Sequence, residues 1–166
     1  MKKKVLPVIV AILLILVIGG CALGKVLLDK YSYSKEEADW NEFYQVSEND
    51  RSAIILQNEM VEEQALIKDG VCYFDLATVH KYLNEVFYAD KTENLLLYAT
   101  PTEVIRTTFG ETAYTTAEGT QEAGYVISFA DGDNVYVAAD YVKLFTNYSY
   151  ECYDRHVQVN TEWGTR

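Results

Sequence analysis

Residues 69–98, DGVCYFDLATVHKYLNEVFYADKTENLLLY, return in close paraphrase at residues 131–159, DGDNVYVAADYVKLFTNYSYECYDRHVQV. An internal repeat of this length restricts the fold more than any other feature of the chain. Both copies open with an Asp-Gly turn and a short strand, Val71 to Phe74 in the first and Val135 to Val137 in the second. A short helix is predicted next, with Leu76, Val79, Tyr82 and Leu83 as the apolar face of copy one and Tyr141, Val142, Leu144 and Phe145 as that of copy two. Asp75 and Asp140 stand where N-caps or first-turn carboxylates belong, and each helix is expected to stop at an asparagine, Asn84 or Asn147. An aromatic-rich strand follows (Val86 to Tyr88; Tyr148 to Tyr153), then a turn led by Asp90 or Asp154, then a last strand (Leu95 to Ala99; Val157 to Val159). The unit is strand, helix, strand, turn, strand. Neither copy is large enough to bury its own core, so the two are expected to share one.

This order of parts, with the wording YVAADYVKLF and YDRHVQV in copy two, resembles the copper amine oxidase N-terminal-like domain. That family is a small non-catalytic stalk module of extracytoplasmic bacterial proteins, and it is not the copper-binding part of an amine oxidase. The resemblance covers residues 53–161 in two repeats, about 53–100 and 124–161, and copy two carries it better. The whole arrangement also resembles the front end of membrane-anchored family 18 glycoside hydrolases of Firmicutes. This second resemblance implies that residues 162–166 open a downstream region and that the chain is the platform of a longer protein.

The amino terminus supports an envelope location independently. Lys2, Lys3 and Lys4 precede an apolar run from Val5 to Leu23, long enough for the roughly 30 Å hydrocarbon core of a bilayer. The lysines predict a cytoplasmic amino terminus, with everything after Lys25 outside. Ile18-Gly19-Gly20-Cys21 has the form of a lipobox, which makes Cys21 a candidate for lipidation, and an ordinary cleaved signal is a further alternative. The continuing apolar stretch through Val26, Leu27 and Leu28 favours the uncleaved anchor. Residues 1–28 are thus read as membrane anchor or signal, and the bilayer is the first expected partner.

Residues 29–52 are acidic and polar, broken by aromatics, and read as a spacer. Ser34 with Glu37 forms a capping-box pattern that predicts a helix from Lys35 to about Tyr44, and Phe43 and Tyr44 are expected to cover the first strand of the domain. Strands are predicted at Ala53 to Leu56 and Met60 to Lys68, then a hairpin at Asp69-Gly70. Between the copies, Glu103 to Thr108 and Thr112 to Thr116 read as a second hairpin around Phe109-Gly110. Ala117 to Gly124 reads as loop, and Gly124 to Ala130 as the strand entering copy two. The expected fold class is α+β: a transmembrane helix, then a β-rich domain of two strand-helix-strand-strand repeats.

A formal net charge of −11 argues against nucleic acid as a partner, because that binding depends on Lys and Arg displacing counterions from phosphates. The composition provides no catalytic constellation. The family 18 signature DxxDxDxE is absent, and isolated carboxylates do not make an acid and base pair. His80 and His156 lack a second ligand at metal spacing, and Asp131-Gly132-Asp133-Asn134 reads as a hairpin turn rather than a calcium loop. Cys72 and Cys152 are read as buried free thiols in preference to a disulfide. No catalytic residue, cofactor or metal is assigned. The function expected is a non-catalytic envelope stalk. The alternative is a module binding cell-wall glycan through exposed aromatics, of which Trp163 is the named stacking candidate among 14 Tyr and 2 Trp.

Overall fold

The computed structural model describes residues 24–28, 30–31, 39–46 and 48–161. The chain divides into two units, residues 1–38 and 39–166. In the first, residues 24–28 and 30–31 are helical. Among the described residues no helix is long and apolar enough to cross a membrane, and the run from Val5 to Leu23 lies outside them.

The second unit begins at Asp39, so the latter half of the acidic stretch belongs with the domain. A single turn of helix, α1 (Trp40–Phe43), starts there because the Asp39 carboxylate accepts from the amides of Asn41 and Glu42, at 2.9 and 3.5 Å. Asp39 itself is extended (φ −72°, ψ 101°), which rules out a continuous helix from Lys35 to Tyr44. Phe43 is 64% exposed and meets the rings of Trp40 and Tyr44 edge-on; Val46 is the buried anchor of this segment.

Among the described residues twelve strands follow, in two sheets. The larger has seven strands: β1 (Arg51–Leu56), β2 (Glu59–Lys68), β3 (Val71–Asp75), β9 (Ser128–Asp131), β10 (Asn134–Ala138), β11 (Ser149–Cys152) and β12 (His156–Asn160). Their spatial order is β11-β12-β1-β2-β3-β10-β9. The smaller is a meander of β4 (Phe87–Asp90), β5 (Leu95–Ala99), β6 (Val104–Thr108), β7 (Ala113–Thr116) and β8 (Gly119–Glu122). Two short helices, α2 (Leu76–Tyr82) and α3 (Ala139–Lys143), each pack on both β3 and β10. The domain is β-rich, and both copies have the expected order of strand, helix, strand, turn and strand.

The turns explain the registers. Asp69 and Gly70 both have positive φ (52° and 78°), the conformation a two-residue type I′ hairpin needs, and they join Lys68 to Val71. Gln57 and Asn58 do the same between β1 and β2 (50° and 70°). Around the repeat centre, β3 and β10 pair antiparallel. The first and last strands are then joined by the parallel pairing of β12 on β1, which sets Ile54 beside Val157 and Leu56 beside Val159.

One hydrophobic core contains residues of both copies, including Val79, Phe87 and Leu96 of the first and Tyr141, Val142 and Val157 of the second. Val79 and Val142, at matching helix positions, are both fully buried. Leu76 and Leu83 also pack against this core, as expected, but the end of the second helix differs. Leu144 is 56% exposed, and Phe145 is only half-buried, stacking on Tyr98 at 4.5 Å. Tyr141 is instead the large ring sealed inside, because α3 ends at Lys143 and Leu144 falls beyond its packed face.

Other local differences have equally simple causes. Asp75 holds the N-cap position of α2 without a side-chain cap bond, whereas Asp140 lies in the first turn of α3, whose N-cap is Ala138. The helices end at Tyr82 and Lys143, before the asparagines. Asn84 links the copies instead, donating to Thr146 Oγ1 at 2.8 Å and accepting from the Val86 amide at 3.0 Å. The predicted loop from Ala117 to Gly124 contains β8, paired with β7 from Ala113↔Glu122 to Thr116↔Gly119. The strand predicted from Gly124 starts only at Ser128, because Gly124 has φ 82°.

Candidate functional site

The exposed chemistry concentrates where α1 meets the turn between β11 and β12. One turn of helix puts Trp40 beside Phe43 and Tyr44, the i+3 and i+4 positions. Trp40 stacks with Tyr44 (centroids 6.1 Å, planes 23° apart) and meets Phe43 edge-on. Tyr44 stacks in turn on the imidazole of His156 at 4.8 Å, and that imidazole also stacks with Tyr153 at 4.6 Å. The result is a ladder of four rings, Trp40, Tyr44, His156 and Tyr153, drawn from segments far apart in sequence.

The hairpin holds the second half of the ladder rigidly. The Tyr153 amide donates to the His156 carbonyl at 2.8 Å and so closes the turn. The Tyr153 hydroxyl donates to Glu151 Oε2 at 2.6 Å, and this carboxylate raises the pKa of the phenol. Arg155 is tied on both sides: its carbonyl accepts from the Ala53 amide at 3.0 Å and its guanidinium reaches Asn49 Oδ1 at 3.5 Å.

Between helix and hairpin lies an open groove of about 270 Å³, lined by Trp40, Tyr44, Tyr153, Asp154, Arg155 and His156. Trp40 and Tyr153 are 56% and 48% exposed, so their rings are reachable from solvent. Ring faces beside a few polar groups suit the stacking of a ligand. Among the described residues that line the groove, Asp154 is the single carboxylate.

The residues singled out from sequence fall elsewhere. Cys21 and Trp163 lie outside the described residues. His80 is exposed on α2, and its Nε2 lies 2.6 Å from the Phe87 carbonyl, a contact in which only the ring N–H can donate. His156 opens β12 rather than standing in a turn. Asp131 to Asn134 form the hairpin turn of β9 and β10, where Lys91 Nζ donates to the Asp133 carbonyl. Among the described residues, no group of three or more His, Cys, Asp and Glu side chains gathers as a metal site. Cys72 is buried and Cys152 exposed, and both are free thiols. The groove's own residues carried one local signal in the sequence, the spacing Asp39-Trp40-x-x-Phe43-Tyr44, read there as part of a longer helix.

No protein family, curated protein or solved structure matches this chain.

Proposed function

We propose that this chain is a non-catalytic stalk tethered to the bacterial cytoplasmic membrane through Val5 to Leu23, with the domain outside, and that it is the front end of a family 18 glycoside hydrolase-like protein. The observation that carries the reading is the merging of two repeats into one core around β3 and β10. A unit built this way is a stiff spacer, and a stiff spacer suits the presentation of further parts at a distance from a membrane. The acidic surface, with a net charge of −11, favours solubility of an exposed domain.

A second reading is favoured by the ladder of Trp40, Tyr44, His156 and Tyr153: a module that holds cell-wall glycan by stacking sugar faces on these rings. The two readings separate in one assay. The full chain in detergent micelles is mixed with insoluble peptidoglycan or chitin and sedimented. The stalk reading expects the protein in the supernatant. Retention that Trp40→Ala and Tyr153→Ala abolish would overturn it in favour of glycan binding.

A further inference from the structure

In the larger sheet β11 and β3 are separated by β12, β1 and β2. A flat sheet, at roughly 4.8 Å per strand, would set them about 19 Å apart. Yet the rings of Phe74 on β3 and Tyr150 on β11 meet edge to face with centroids 6.4 Å apart. The sheet therefore curls until its edge strand β11 lies across the core from β3.

This curl has a consequence for sulfur. Cys72 is two residues from Phe74, and Cys152 two residues from Tyr150, so each thiol shares a sheet face with one ring of the pair. Going down β3 from Phe74 to Cys72 matches going up β11 from Tyr150 to Cys152, which brings the thiols together. Cys72 is 4% exposed, whereas Cys152 is open to solvent. Two anchors keep β11 in place: the buried Tyr148 hydroxyl donates to the Ala139 carbonyl, and Tyr150 interacts with the Asp140 carboxylate.

We propose that Cys72 and Cys152 are a cross-core redox pair, closed to a disulfide by exchange with an external disulfide and thereby fastening edge strand β11 to β3. Their unequal environments set the order of events. The contact with Cys72 lowers the pKa of Cys152, while the contact with Cys152 and burial both raise that of Cys72. The Cys152 thiolate attacks one sulfur of the external disulfide and expels the first thiolate, leaving a mixed disulfide. Cys72 then loses its proton to solvent, attacks Cys152 Sγ and expels the second thiolate. The two cysteines lose two protons and two electrons, and the external disulfide takes up both as two thiols. An extracytoplasmic compartment supplies such oxidants, but the chemistry does not depend on that location.

The test uses the full chain in detergent with Cys21→Ser, so that only these two thiols report, and oxidised glutathione as the external disulfide. The proposal expects intact mass to fall by two hydrogens, both thiols to become inert to alkylation, and the melting temperature to rise in a way that dithiothreitol reverses. Cys72→Ser should stop at a glutathione adduct on Cys152, and Cys152→Ser should leave Cys72 unmodified while folded. Two free thiols at full oxidation, a stable glutathione adduct in the parent chain, or a dimer joined between chains would each overturn the proposal.

Discussion

Phe74 of β3 lies directly opposite Val137 of β10 in antiparallel register, and Val137 holds in copy two the position that Phe74 holds in copy one. A residue paired with its own counterpart marks a local two-fold axis. The flanking pairs obey it: Tyr73 faces Ala138, and Tyr136, the counterpart of Tyr73, faces Asp75. Both axial residues are fully buried. The two copies are thus halves of one structure, and they diverge only farther out, where the hairpin of copy one joins the small sheet and that of copy two joins β1.

Separating the halves should destroy both. A fragment from Gly124 to Thr161 loses β3, the partner of β10, and β1, the partner of β12. It is expected to show no cooperative transition in thermal or denaturant melts, whereas the intact domain melts in one step. An independent sharp transition for the fragment would mean that the axis is not what holds copy two together.

Truncation should follow burial rather than ring count. Tyr141 is the largest sealed side chain, so Tyr141→Ala is expected to cost about 3 to 5 kcal/mol, close to large aromatic truncations in other cores. Phe145→Ala should cost clearly less, because that ring is half-buried. Val79→Ala and Val142→Ala should cost similar amounts, roughly 2 kcal/mol each. Lys81, which pairs with Glu63 at 2.7 Å on the surface, should tolerate alanine with no measurable change. Urea melts of the five proteins give the ranking, and a Phe145→Ala loss exceeding that of Tyr141→Ala would reverse the packing described.

Alkaline pH should unfold the domain through its tyrosines. Burial raises the pKa of Tyr141, Tyr148 and Tyr150 above the ordinary value of 10.0, and brings Tyr125 to about 12. A phenol whose folded pKa is raised adds stability that is complete below its unfolded pKa and disappears as pH climbs through the folded one. Stability is therefore expected to hold up to about pH 10 and to fall above it. The tyrosinate absorbance of these four phenols should rise abruptly with unfolding rather than gradually. Gradual ionisation of these four near pH 10, with the fold intact, would contradict this.

The legible and illegible parts of the structure divide along a physical line. Compact apolar runs such as β3 and β5, and the helical recurrence of α2, announce themselves, and so does the Asp69-Gly70 turn. Strand β8, Gly-Thr-Gln-Glu, is exposed throughout and has no apolar face, so only its backbone bonds to β7 define it. The parallel pairing of β12 on β1, the approach of Cys72 to Cys152 and the ring ladder all join residues distant in sequence, which periodicity does not register. Tyr44 and His156 became neighbours only because β12 returns to β1.

Whether the domain of this proposed envelope stalk stands outside the membrane is read by adding protease to intact protoplasts that express the full chain with a cytoplasmic marker. An external domain is digested beyond Lys25 while the marker survives, with an amino-terminal membrane fragment left behind. Full protection of the domain until the cells are lysed would contradict it.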